Sequence, residues 1–196
     1  MDYKTWLGVV AVVIGFISYI PYFKDIVQLK TKPHAFSWLV WSVLTAIAFF
    51  AQVVKGGGIS SWVNAGTALM CFAVFVFAIF RGEKNIKKSD IWSLVGAGLG
   101  LVVWAMTDDP VFAVILVTII DALGFIPTFR KSYYKPQEET LSTFVVSTTK
   151  YVMSLFALRS YTLTTWLFPA SLVLTNGLFV ILLIVRRRIL LDSKLM

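Results

Sequence analysis

Charge, cysteine and histidine are scarce in this chain, and each scarcity closes off a class of function. Of its 196 residues 14% are charged and 58% hydrophobic, and the mean hydropathy is +0.81. Ordinary soluble domains carry about a quarter charged residues. A lone histidine, His34, and a lone cysteine, Cys71, leave no intramolecular disulfide, no His/Cys metal set and no Ser-His-Asp arrangement. No phosphate-binding loop is written in the chain either. The expectation is an integral membrane protein that is not an enzyme and uses no cofactor or metal.

What is present is a series of apolar runs. Seven can be read: about 5–23, 36–55, 59–80, 91–107, 110–129, 140–158 and 163–185. Each is near the ~20 residues that an α-helix needs to cross a bilayer. In lipid every backbone group must be satisfied internally, so runs of this kind predict helices. The first run lacks the flanks of a cleavable signal, with Lys4 alone before it and no small-residue site after it.

Charge placement predicts orientation. Segments 24–35, 81–90, 130–139 and 186–196 hold fourteen Lys or Arg, whereas the opposite set holds Lys4, Lys55 and Arg159. The positive-inside rule then puts the N-terminus outside and the C-terminus in the cytosol of a plasma or bacterial inner membrane. The net charge of +8 is read as topology, with the tail VRRRILLDSKLM near anionic headgroups, and not as a nucleic-acid surface.

The chain also repeats itself. SYIPYFK (18–24) lies over GFIPTFR (124–130), SWLVWS (37–42) over STFVVS (142–147), and SSWVNAG (60–66) over TTWLFPA (164–170). The spacings are 106, 105 and 104 residues. The expected division is a first three-helix repeat at 1–82, a linker helix at 83–108, a second repeat at 109–188 and a cytosolic tail at 189–196. Three spans are an odd number, so one intervening helix makes the repeats parallel. Gly96 and Gly100 of the linker form a G-x-x-x-G pair, which allows another helix to approach closely. That contact serves an internal interface or a homo-oligomer. With no strand before it, the glycine pattern is not read as a dinucleotide site.

This 3+1+3 arrangement, with Pro21 and Pro127 late in the first helix of each repeat and Lys30-Thr31-Lys32 in the following loop, resembles the SWEET/PQ-loop superfamily. Tyr22 and Thr128 stand where the PQ-loop branch has glutamine. The superfamily includes sugar uniporters, carriers of vitamin precursors and amino acids, and the KDEL receptor. The resemblance implies a seven-helix carrier working by alternating access, or a receptor of the same fold that binds a peptide or partner without transport.

Several residues are candidates for the site. Pro21 and Pro127 each free a helix carbonyl and read as kinks or as hinges, with Tyr19 and Phe125 beside them as gate residues. Asp121 and Lys150 interrupt apolar spans at a cost of roughly 2.5–3.5 kcal/mol each on insertion scales. Counted from the cytosolic ends, both lie roughly 12–15 Å deep at 1.5 Å per residue. A buried pair follows, either structural or one that also meets substrate or a proton. In the repeat, Asp121 falls on Gly15 and Lys150 on Thr45.

Thr143, Ser147, Lys150 and Ser154 share one helix stripe, with Trp38, Ser42, Thr45 and Phe49 as counterparts. Asn176 lies mid-span, where the resemblance implies a solute-holding asparagine; an interhelical hydrogen bond is the equal alternative. Phe72 occupies its place in the first half, and Asn64 lies two turns earlier. Trp6, Trp38, Trp62, Trp92 and Trp166 read as headgroup anchors, and Trp41 as a packed residue able to stack on a ligand. His34, at the loop end of the second helix, reads as an interfacial residue that makes no metal site and as a candidate gate or pH sensor. Glu138 and Glu139 read as solvated or loop-bridging charges. The solute is expected to be a sugar, amino acid or vitamin precursor, with Asp121 able to carry a coupling proton.

Overall fold

The computed structural model describes residues 2–83 and 109–195, with positions 88, 91, 92, 95, 98, 99, 102 and 106 between them. Among these residues the chain is helical and has no strand. Six long helices are described: α1 (Tyr3–Val27), α2 (Ala35–Val54), α3 (Ser61–Arg81), α4 (Pro110–Tyr134), α5 (Leu141–Ala157) and α6 (Leu163–Leu195). Short 3-10 turns at Gly58–Ser60 and Pro136–Glu138 precede α3 and α5. Most of the expected linker helix, including Gly96, Gly100 and Trp104, lies outside the described residues.

Five of the helices are long and apolar enough to cross a membrane: Tyr3–Val27, Ala35–Val54, Gly58–Arg81, Pro110–Tyr134 and Leu163–Leu191. Helix α5 has 17 residues, about 25 Å of rise. One stripe of its polar side chains turns inward: Thr143, Ser147, Lys150 and Ser154 are all buried, whereas Ser142 and Thr149 are exposed. Large apolar side chains such as Ile20, Phe50, Leu69, Phe80, Ile119 and Leu174 cover the outside, the inverse of a soluble surface and the arrangement a hydrocarbon solvent favours.

The helices begin and end where local chemistry directs. Asp2 caps α1, accepting from the Thr5 N–H at 2.9 Å and the Thr5 hydroxyl at 2.6 Å. Asp109 caps α4, accepting from the Val111 N–H at 2.8 Å, and Pro110 follows at the position where a missing N–H costs nothing. Gly56, with φ of 73°, supplies the left-handed residue that closes α2. Helices α1, α4 and α6 run past the apolar runs read from sequence, to Val27, Tyr134 and Leu195. Hydropathy registers the apolar stretch alone, whereas the backbone stays helical until its carbonyls find other partners. Within the extended part of α6, the Arg186 side chain donates to the Tyr133 carbonyl, and that of Arg187 to the Pro136 carbonyl.

The six helices close a ring in the order α1, α3, α2, α4, α6, α5 and back to α1, with weaker contacts of α2 with α6 and of α3 with α5. Exchanging α1 with α4, α2 with α5 and α3 with α6 returns the same set of neighbours. Two buried apolar clusters fill the ring. One is built on Ala11, Leu44, Ile47, Val63, Val117, Phe168 and Leu172. The other, richer in aromatics, is built on Tyr19, Tyr22, Trp38, Trp41, Phe125, Phe144 and Phe179.

Gly82 closes α3 against the loop before α2. A Cβ there would lie 2.4 Å from both the Ala78 and the Pro33 carbonyl oxygens, which are backbone and cannot swing aside. Gly82→Ala is therefore expected to destabilise by roughly 1–3 kcal/mol, the usual cost of overpacking, read as a lowered Tm of the purified protein. An unchanged Tm would mean that this junction yields freely.

Candidate functional site

The interior of the ring holds a cavity of about 400 Å³, counting all space between atoms and the part open to the outside. Every described helix contributes to its lining: Tyr19 from α1; Trp38, Trp41 and Thr45 from α2; Thr67 and Cys71 from α3; Asp121 and Phe125 from α4; Thr143, Phe144, Ser147 and Tyr151 from α5; Leu172 and Asn176 from α6. The sequence candidates Asp121, Asn176, Ser147, Thr45, Trp41, Tyr19 and Phe125 thus meet at one place. Ser42 does not line it; its hydroxyl donates to the Ala68 carbonyl at 3.0 Å and ties α2 to α3.

Asp121 is fully buried, and neither of its carboxylate oxygens makes a hydrogen bond among the described residues. It does not pair with Lys150. The Lys150 ammonium donates to the Thr67 hydroxyl at 2.8 Å and lies 5.3 Å from the Tyr19 ring centroid and 4.9 Å from that of Tyr151. Matching depth, the basis for expecting a pair, says nothing of the direction around the helix axis, and here the ammonium has found an oxygen and two aromatic faces on its own side. Its stem runs over Gly15, where a Cβ would lie 3.3 Å from Lys150 Cδ. The repeat position that carries a carboxylate in the second half is bare in the first, and the lysine occupies the room.

Thr67 was not singled out from sequence. Its hydroxyl donates to the Val63 carbonyl at 2.7 Å and accepts from both Lys150 and, at 3.2 Å, the Tyr151 hydroxyl. Thr67→Val would keep the shape and strand two buried donors. A loss of about 1–3 kcal/mol in stability is expected, measured by thermal unfolding; Thr67→Ser should restore most of it. If valine is harmless, the lysine has another partner to turn to.

The remaining polar candidates are held locally. Asn176 donates to the Leu172 carbonyl of its own helix at 2.8 Å, so the bond is within α6 and not between helices. The Thr45 hydroxyl donates to the Trp41 carbonyl at 2.7 Å. Trp41 packs on Phe125, with ring centroids 4.6 Å apart, and its buried indole N–H has no acceptor among the described residues. Trp38 is no headgroup anchor: it is buried, 4.9 Å from the Tyr22 ring and 5.1 Å from that of Trp41. Position near a span end marks an anchor only if the ring faces outward, as those of Trp6, Trp62, Trp92 and Trp166 do.

Both prolines lie inside continuous helices. Three residues before each, a backbone carbonyl accepts a hydroxyl from the facing second helix: Thr143 donates to the Ser18 carbonyl and Ser37 to that of Gly124, each at 3.0 Å. These two bonds join α1 to α5 and α4 to α2. They were invisible in the sequence because their partners lie 125 and 87 residues apart.

Beyond the aromatic cluster the basic end of the ring is closed by a buried network. The Lys131 ammonium lies 2.7 Å from Glu139 Oε1, both side chains being almost fully buried. The Tyr22 hydroxyl donates to Glu139 Oε2 at 3.1 Å, and Lys131 also donates to the carbonyls of Glu138 and Lys32. Around it, Lys32 pairs with Glu138 at 3.2 Å, and the Thr140 hydroxyl donates to Asp25 Oδ2 at 2.8 Å. Glu139 is accordingly not a solvated charge: from the loop before α5 it joins Lys131 of α4 to Tyr22 of α1. His34 is likewise buried and not interfacial: it precedes α2 with Nδ1 3.5 Å from the Ser37 hydroxyl and its ring edge-on to Phe36.

At the opposite end, Ser60 and Ser154 share a 2.7 Å hydrogen bond, and Gln52 joins Asn64 to the Thr165 carbonyl. Arg159 pairs there with Asp2 at 3.2 Å. Among the described residues no group of three or more His, Cys, Asp or Glu could hold a metal ion.

Comparison with known proteins yields no matching family model, no matching curated protein and no matching solved structure. The class that the geometry defines is a bundle of membrane-type helices around a central cavity that contains a carboxylate.

Proposed function

We propose that this protein is a membrane carrier for a small polar solute, working by alternating access. In this reading it spans the bilayer seven times as two parallel three-helix repeats joined by the linker, with the basic ends in the cytosol of a plasma or bacterial inner membrane. The neighbour pattern of the ring, unchanged when the first three described helices are exchanged with the last three, supports that arrangement. The SWEET-like motifs around Pro21 and Pro127 support the same architecture.

One observation carries the reading. A cavity lined by all six helices contains an unpartnered buried carboxylate and lies between cross-links that join the two halves, Tyr22 to Glu139 and Lys32 to Glu138 at one end and Ser60 to Ser154 at the other. An orphaned buried carboxylate is costly and has no structural role to explain it. A site in mid-membrane, closed at both ends by breakable contacts, is what alternating access requires. Pro21 and Pro127, each next to a hydroxyl-bonded carbonyl, are the points at which each half would bend.

Asp121 is the group placed to take a coupling proton. Among the described residues, Tyr19 on α1, Cys71 on α3, and Tyr151 with Lys150 on α5 are the other titratable groups at or beside the cavity.

The test is solute flux in proteoliposomes, screened over sugars, amino acids and vitamin precursors with and without an imposed pH gradient. A carrier equilibrates at least one solute, and a proton-linked carrier does so in step with the gradient. A ligand that binds but is never equilibrated would identify a receptor of the same fold and overturn the carrier reading.

A further inference from the structure

We propose that the solute is an organic cation, a protonated or quaternary amine with an apolar or aromatic body, seated with its positive centre at Asp121. This rests on the carrier reading for transport, but the binding chemistry is argued from the cavity alone.

The cavity is unbalanced in what it offers. Asp121 contributes two buried oxygens that only accept, and nothing among the described residues donates to them. The one buried lysine nearby is already engaged by the Thr67 hydroxyl and the rings of Tyr19 and Tyr151, and it is not part of the lining. Thr45 and Asn176 direct their donors to carbonyls of their own helices. A ligand must therefore bring the donors or the positive charge that the carboxylate lacks.

The rest of the lining says what else the ligand carries. Trp38, Trp41, Phe125 and Phe144 add aromatic rings to the lining, beside Tyr19 and Tyr151, whose rings already hold the Lys150 ammonium. Aromatic faces attract cations, more strongly when water is excluded, and they accommodate an apolar body. A sugar would need many free donors and acceptors; the lining leaves the Trp41 indole N–H open but turns the hydroxyls of Thr45, Thr67 and Thr143 to backbone carbonyls. An anion would meet the bare carboxylate. A zwitterion would need a cation in the lining for its second charge, and Lys150 lies behind Thr67, Tyr19 and Tyr151 and does not line the cavity.

The experiment uses four probes that share a phenyl ring and differ in charge: phenethylamine, 2-phenylethanol, phenylalanine and 3-phenylpropionate. Thermal stabilisation of the full-length protein in lipid nanodiscs is titrated with each, for the wild type and for Asp121→Asn. The expected result is binding of the amine at least roughly tenfold tighter than of the alcohol, with the difference lost in Asp121→Asn. If that variant does not fold, the comparison of amine with alcohol on the wild type stands as the test.

Equal binding of amine and alcohol, preference for phenylalanine or phenylpropionate, or no binding of the amine would each overturn the cation assignment. So would amine binding that survives Asp121→Asn unchanged, which would mark partition into lipid. Labelled phenethylamine in proteoliposomes separates this from the carrier reading. Amine-selective binding without flux refutes transport and leaves the cation class standing, while flux of a sugar or neutral amino acid does the reverse.

Discussion

Replacing Asp121 with asparagine is expected to stop transport while making the protein more stable. The two effects have one cause. Asp121 is fully buried and its carboxylate has no hydrogen-bond partner among the described residues. A buried group of this kind costs the fold several kcal/mol as an ion and less as a neutral acid. An amide of the same shape relieves part of that cost, so a gain of about 1–3 kcal/mol is expected in thermal unfolding.

The loss of function follows from the ligand's side. The carboxylate is the charged group that a solute would meet, and losing a charge-assisted contact in a closed cavity weakens binding on the order of 100-fold. Flux in proteoliposomes should fall by a similar factor. A residue kept for structure would behave in the opposite way: the variant would be less stable and would still transport. That outcome would remove Asp121 from the site.

The second large effect concerns the closed basic end. Glu139→Ala leaves the Lys131 ammonium buried without its carboxylate and deprives the Tyr22 hydroxyl of its acceptor. Breaking a buried pair by removing one partner costs about 3–5 kcal/mol. The double variant Lys131→Met, Glu139→Leu should recover much of this, because the pair itself contributes little beyond what well-packed apolar residues would.

Conformation gives a second readout. Cys71 is the sole cysteine of the chain and lines the cavity while being 2% exposed. A thiol reagent added from the basic side should reach it faster in the conservative variant Glu139→Gln than in the wild type, if this network is what keeps that end shut. An unchanged labelling rate with a lowered Tm would make the network a structural clasp and place the gate elsewhere.

These effects divide along what can be read from a linear chain. Helical structure was legible because apolar runs in lipid have no alternative, and Pro110–Tyr134 begins at the residue where its run begins. The likeness of the halves was legible as letters at a near-constant spacing. Asp121 and Lys150 stood out because charge is rare in such runs, and both proved buried. Boundaries at the basic ends were less legible: the last helix continues ten residues past its apolar run, through Arg186 and Arg187, whose partners lie at the end of α4 and in the turn after it.

Pairing was not legible at all. Depth placed Asp121 level with Lys150, but Gly15, Thr67 and two tyrosine rings decided where the lysine points. Glu139 and His34 sit in polar loops of the sequence, and both are buried, because the loops of the two halves fold onto each other. Trp38 has the position of an anchor and the environment of a core residue.

The order of residues thus dictated the membrane-type helices, which follow from the apolar runs and transfer energy acting along the chain. Which side chains share the cavity, and which carboxylate is left without a partner there, depended on the ring closing α1 onto α5 and α2 onto α4. Those contacts join residues about a hundred positions apart, and a distance of that kind has no signature in local composition.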